Sequence, residues 1–416
     1  MLDSVDEGIG EIMEKKRIEL LLERTFLFDP NVYMTIVVTI EGDVQEEEIC
    51  EAVKKAYTQN QTTMSKIVLD EQGKIYQEEL QETGCKVFVD ERDWQEIMHE
   101  NERIPFRINE GELVRTFIIP RGKQTDIYLM AHHVACDGSG LLIIAEDILD
   151  NLQGKEVEYK PTKVMTEKSV INRGNLTFIE KLALKNVSKK WGKEKRIFGW
   201  DVYYKVHEEF WKNRQSEISF TWVEGSKLEA VKEECKKYGV TVNSYLAAKL
   251  MQKYPESKKL GIPVSVRGKD RSISCLISSA PVYSKYDTSK DFAENLLNIN
   301  ETIKKELSSE GAVYRIPQFV AYTDPTLLEA GYIQNVIGYE SKPVDSMARI
   351  LGLYGDERYE LGITNLKEIV FPADYDRFKI TGVIPVAPLI ATTEKVFTIS
   401  TYAGKMLIAE NKIKQI

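Results

Sequence analysis

Residues 113–152 constrain the fold more than any other stretch of the chain. "LVRTFIIPRGKQTDIYLMAHH" reads as two strands turning at Arg121 to Lys123, and the apolar helix "SGLLIIAEDILDNL" follows after a tight loop. A hairpin running directly into a helix needs a sheet with a helix packed on it. The chain is therefore read as mixed α/β. Its 416 residues favour two domains, and 43% hydrophobic with 29% charged residues places it among soluble globular proteins.

The same alternation recurs. "YMTIVVTIEG" (33–42) reads as a strand, "EEEICEAVKKAYTQN" (46–60) as a helix, and "SKIVLDEQGKIYQEEL" as a hairpin turning at Glu71 to Gly73. A charged helix opens the chain. After residue 215 the pattern restarts with the strand "EISFTWV", a helix from Lys227 to Tyr238, and the helix "TVNSYLAAKLMQKY", whose threonine can cap it. The strands "KKLGIPVSV" and "CLISSAPVYSKY", the amphipathic helix "TSKDFAENLLNINETIKKELSS" with a Thr or Ser cap, and a closing hairpin around Ala403 to Lys405 complete it. The expected division is 1–165, a basic linker holding a basic helix at 166–215, and 216–416. The linker is basic because Lys181 to Arg196 holds seven Lys or Arg against one Glu.

Composition excludes several function classes. Fifty-six basic against sixty-five acidic residues give a net charge of -9, which argues against nucleic acid as the main partner. The N-terminal residues mix charges into every turn, so no apolar signal segment is expected there. The longest apolar run, 380–391, is broken by Pro385 and Pro388 and is too short to span a bilayer. Five scattered cysteines without CxxC spacing read as reduced thiols, and the expected compartment is the cytoplasm.

The chemistry concentrates in "MAHHVACDGSG" (130–140), which holds two of four histidines. Strand alternation sends Ala131 and His133 to one face and Met130 and His132 to the other. Two histidines pointing apart do not chelate one metal with Asp137, so no metal site is expected. Cys136 beside His133 offers a Cys-His nucleophile, and a small buried side chain is the plainer reading. A satisfied core pair is another. The sharper reading makes one histidine a general base, with Asp137 holding the loop and Gly138 letting the backbone bend.

His132-His133-x-x-x-Asp137-Gly138 resembles the HHxxxDG motif of the CoA-dependent acyltransferase superfamily, which includes chloramphenicol acetyltransferase, condensation domains and alcohol acetyltransferases. The resemblance extends over "IPFRINEGELVRTFII" with Glu112 where proline is common, "GVTVNSYLAAKL", "LGIPVSVRGKDR" with its structural arginine Arg267, and "GITNLKEIVFP" with Lys367 where glycine is usual. It implies two chloramphenicol-acetyltransferase-like αβ sandwich halves with a tunnel between them. His133 would be the base, His132 and Gly138 would support the loop, and Asp137 would pair with Arg267. Asn243, Thr364 and Asn365 are candidates for oxyanion or substrate contacts as polar groups at element ends, and a helix or turn cap is the plainer reading of each.

The implied function is an acyltransferase moving an acyl group from a thioester to a hydroxyl or amine without an acyl-enzyme. Acyl-CoA is the expected co-substrate, with acyl-phosphopantetheine as the variant and no permanently bound cofactor. A stand-alone condensation enzyme using carrier-protein-bound substrates is the alternative, and an inactive condensation-like scaffold is the second. The Lys181 to Arg196 stretch could meet an acidic carrier, CoA phosphates or water alone.

Overall fold

The computed structural model describes residues 17–351, 359–390 and 393–416. Strand β1 (Arg17–Glu19) and a 3-10 turn (Glu23–Phe26) lead to β2 (Tyr33–Gly42), α1 (Glu46–Thr58), and the hairpin β3 (Ser65–Leu69) and β4 (Ile75–Glu79). Then come β5 (Lys86–Val89), α2 (Trp94–Asn101), the hairpin β6 (Val114–Arg121) and β7 (Gln124–His132), and α3 (Gly138–Leu152). The expected opening helix differs. Its residues 17–24 form a strand and a turn, because β1 pairs antiparallel with β4, and its residues 1–16 lie outside the described residues.

The middle segment contains a helix on its basic stretch and two more beside it. It forms α4 (Glu167–Val170), α5 (Phe178–Trp191) and α6 (Trp200–Trp211). Apolar residues at helical spacing on α5, Leu184, Val187 and Trp191, are buried. The Trp191 indole N–H donates to Thr326 Oγ1 at 2.8 Å, and that of Trp211 donates to the Pro30 carbonyl at 2.8 Å. These bonds tie the segment to elements early and late in the chain.

The second half adds β8 (Arg214–Glu224), α7 (Ser226–Tyr238), α8 (Val242–Lys253), β9 (Lys259–Ser265), β10 (Ile277–Tyr283) and α9 (Phe292–Ser308). Thr241 caps α8 as expected, accepting from the Ser244 N–H at 3.1 Å. The cap of α9 is Asp291, not Thr or Ser. Its carboxylate accepts from the Glu294 N–H at 2.8 Å, while Glu294 reaches back to the Asp291 N–H. Four helices follow, α10 (Glu310–Val313), α11 (Arg315–Tyr322), α12 (Pro325–Ile337) and α13 (Lys342–Leu351). The chain closes with β11 (Tyr359–Glu368), β12 (Phe378–Val386) and the hairpin β13 (Thr393–Tyr402) and β14 (Lys405–Gln415).

The strands form three sheets in the described residues, ordered β12-β2-β7-β6-β5, β10-β9-β11-β13-β14-β8, and β1-β4-β3. In β7 the run from Asp126 to His132 is buried throughout, as in a strand covered on both faces. One core gathers around the five-stranded sheet and a smaller one around the six-stranded sheet. The halves interlock. β12, from the C-terminal part, pairs antiparallel with β2 and buries Phe378, Ile380 and Val383 in the first core. Ile273, Leu276 and Phe319 join the same core.

This crossover has a consequence for the expected 1–165 unit. Without β12 its sheet exposes the unpaired edge of β2 and loses part of its core. Residues 1–165 expressed alone are expected to show no cooperative thermal unfolding. A fragment that melts as sharply as the whole chain would make β12 dispensable.

Candidate active site

The loop after β7 sends its two histidines into opposite surroundings. The His133 N–H donates to the Val32 carbonyl at 3.1 Å and the Ala135 N–H to the His132 carbonyl at 2.9 Å, so the turn is fixed by backbone bonds. The His132 ring lies among Tyr33, Phe106 and Tyr203, and its Nδ1 accepts from the Val134 N–H at 3.2 Å. Burial drives its pKa to about 3, so this imidazole stays neutral across the physiological range.

His133 faces the other way. Phe26 stacks on its ring, with centroids 3.9 Å apart and planes within 8°, and Cys275 Sγ is 3.7 Å from its Nδ1. Burial lowers its pKa below the ordinary value, opposed by the carbonyls of His133 itself and Cys136 and by the charge of Asp137. Of the two ring nitrogens, Nδ1 is the one close enough to reach the residue's own carbonyl. A proton on Nδ1 would face that carbonyl and leave the Nε2 lone pair free. Among the described residues no hydrogen-bond partner of Nε2 is found.

Asp137 points away from this ring. It caps α3, accepting from the Gly140 N–H at 2.8 Å, and it accepts from the Leu276 N–H at 2.9 Å and from Arg267 Nη2 at 2.8 Å. Arg267 also donates to the carbonyls of Ser272 and, at 2.6 Å, Ser274. Both side chains are buried, Arg267 to 7% exposure and Asp137 to 3%. With its oxygens spent on three donors, the carboxylate is a brace for the loop. Gly140 lets α3 approach that loop, since a Cβ there would sit 2.0 Å from the Ile273 carbonyl oxygen.

His133 lines a cavity of about 240 Å³ at the seam between the five- and six-stranded sheets. Its walls are mostly apolar, with Met34 and Ile36 from β2, Phe319 from α11 and Val386 from β12 among them. Gly138 and Leu141 at the start of α3 also face it, and a Cβ on Gly138 would meet Leu366 Cδ2 at 3.2 Å. Of the three candidate polar contacts, Thr364 lines the cavity. Asn243 does not: it sits in the first turn of α8, its Oδ1 buried without a partner. Asn365 is also absent from the lining, and its side chain accepts from the Lys367 N–H at 2.8 Å. That bond closes a bulge in β11 where Lys367 has φ of 61°, the left-handed region that glycine adopts without strain.

Several site residues carry no signal in the sequence. Phe26 lies just past the expected opening helix, in a stretch given no element, and Ser279 lies within a strand read only by its alternation. The sulfur beside His133 belongs to Cys275, brought there by the Arg267 loop. Cys136 is fully buried, and burial pushes both thiols above the ordinary range, which disfavours a thiolate at either. All five cysteines are free thiols. Among the described residues no group of three or more His, Cys, Asp or Glu is placed to hold a metal ion, and no helix is long and apolar enough to cross a membrane.

The sequence matches no known family model and no curated protein. The fold does have relatives among solved structures. The condensation domain of the monacolin K polyketide synthase MokA is similar over 95% of this chain and 92% of its own, with 12% identity and a TM-score of 0.60. The trichothecene 15-O-acetyltransferase TRI3 from Fusarium sporotrichioides is similar over 95% and 91%, with 11% identity and a TM-score of 0.63. A mutant starter condensation domain of rhizomide synthetase RzmA, solved with C8-CoA, is similar over 94% and 86%, with 14% identity and a TM-score of 0.57. The chain therefore has the fold of these condensation domains and of this acetyltransferase.

The brace is open to a double-mutant cycle. Asp137→Ala and Arg267→Ala each strand a buried charge, and each is expected to cost about 3–5 kcal/mol in urea unfolding. The double change should cost less than the sum by about 0.5–3 kcal/mol. Additive losses would mean the two side chains do not act as one pair.

Proposed function

We propose that this protein is an acyltransferase that moves an acyl group from acyl-CoA to a hydroxyl or amine, with His133 as its single general base. The observation that supports this most is a neutral, buried imidazole on an apolar cavity, while the neighbouring His132, Cys136 and Asp137 all face elsewhere. A ring held neutral near pH 7 is ready to accept a proton. Apolar walls around it exclude water, which would otherwise compete for the thioester.

In this reading His133 Nε2 takes the proton from the acceptor hydroxyl as its oxygen bonds to the thioester carbonyl carbon. The carbonyl becomes an oxyanion, and Thr364, the one of the three candidates that lines the cavity, is its donor in this reading. Collapse of that intermediate breaks the carbon–sulfur bond. The departing thiolate takes the proton from the His133 imidazolium, and the ring returns to its starting form. No protein atom is acylated. Asp137 and Arg267 hold the loop, and Gly138 keeps the entrance of α3 clear.

A carrier-borne donor is the second reading, favoured by the condensation domains among the structural relatives. In both cases only a pantetheine arm has to reach His133. The RzmA relative, solved with C8-CoA, supports free CoA as a donor for this fold.

Release of free thiol from acyl-CoA in the presence of a panel of alcohols and amines tests the proposal. Turnover is expected with acyl-CoA, and turnover only from a carrier-bound acyl group would replace the donor. His133→Ala should lower it by about 10²- to 10⁴-fold, whereas His132→Ala should lower it less at equal folded fraction. Because burial holds the His133 pKa below its ordinary value, kcat/KM should stay level through neutral pH. It should fall only on the acid side, as the ring gains its proton. Equal losses for the two histidines, or a limb above pH 7, would remove His133 from the role.

A further inference from the structure

Helix α5 presents a face that the catalytic reading does not use. Phe178 is 80% exposed, Ile179 77% and Leu182 57%. At 100° per residue these three share the outer side of the helix with Lys185, Lys189 and Lys190, opposite the buried Leu184 and Val187. The apolar residues occupy its N-terminal end and the lysines its C-terminal end. The single acidic residue of α5, Glu180, is turned to Arg315 of α11, so it does not offset the lysines. Among the described residues these three lysines form no ion pair.

We infer that this face docks the protein on an anionic lipid bilayer. An interfacial helix needs apolar side chains that enter the headgroup region and lysines that meet lipid phosphates, and both stand here on one surface. The chemistry favours lipid over protein. Three such side chains offer on the order of 300 Å² of apolar area, against about 800 Å² per partner in a specific protein interface. The position of the helix adds a second argument. α5 backs α11 and α12, bonded through Trp191 to Thr326 and stacked through Lys181 on Tyr322, 5.6 Å from its ring centroid. Those two helices supply Phe319, Val320, Leu328 and Tyr332 to the apolar wall of the cavity. Molecules that suit such a wall partition into membranes, so docking there brings the cavity to where they concentrate.

Sedimentation of the full chain with lipid vesicles tests this without requiring turnover. The protein is expected to pellet with phosphatidylcholine vesicles containing phosphatidylserine, and not with pure phosphatidylcholine. Binding should be lost at about 1 M salt, where the Debye length is about 3 Å. Each lysine near the surface contributes about fivefold, so the triple change Lys185→Glu, Lys189→Glu, Lys190→Glu should weaken binding by more than about a hundredfold. Phe178→Ser with Leu182→Ser should weaken it at least about tenfold. All five positions are exposed, and unchanged thermal unfolding of the variants checks that the fold survives. Failure to pellet with anionic vesicles, equal pelleting with neutral ones, or binding unaffected by both variants would overturn the inference. So would a saturable complex with an acidic acyl carrier protein that the same variants abolish while vesicles are ignored.

Discussion

The contact between Asp137 and Arg267 joins residues 130 positions apart and braces the loop that carries His133. One carboxylate there caps the start of α3, takes a guanidinium and receives the Leu276 N–H, so α3 and the loop of residues 267–276 meet at two oxygens. A buried pair of this kind adds little net stability compared with apolar residues of the same volume, and its loss on one side is expensive. Its effect is positional. It sets the loop of residues 267–276 against the start of α3, and that loop in turn places Cys275 beside the His133 ring. An arginine suits the task better than a lysine because its planar fork also reaches the carbonyls of Ser272 and Ser274.

Two adjacent histidines with different surroundings show how position decides chemistry. His132 sits among aromatic rings, accepts from a backbone N–H and is too hard to protonate to act as a base near pH 7. For His133, one residue on, burial also lowers the pKa, and its own carbonyl, the charge of Asp137 and the Cys136 carbonyl oppose that shift. Phe26 fixes the plane of its ring, and the apolar cavity lets one nitrogen meet a bound molecule in the absence of bulk water.

Much of this was legible in the sequence where the signal is local. The strand ending in His132 and His133, the turn at Asp137 and Gly138 and the helix after it follow from alternation, capping and helical spacing, and all three stand in the structure. The meeting of Asp137 with Arg267 was expected from family resemblance, and no spacing rule could give it. The site residues that went unread come from tertiary placement. Phe26 lies on a 3-10 turn too short for any periodic pattern, and α11 and α12 turn some apolar residues to the cavity while others join the first core, a division that helical spacing does not reveal. The Asn365 side chain takes the turn-cap role, because a bulge in β11 turns it to the Lys367 N–H. β12 was hidden for a related reason, as Pro385 and Pro388 disguise a strand that pairs at the sheet edge beside β2.

The central claim is that His133 is a neutral base with its proton on Nδ1 and a free Nε2. Nitrogen-15 NMR of the histidine rings in the folded protein reads this directly. The account predicts one ring with a protonated Nδ1 and an unprotonated Nε2 at pH 7, titrating below the ordinary histidine value and lost in His133→Ala. A His133 ring protonated on Nε2, or one already cationic at pH 7, would contradict it.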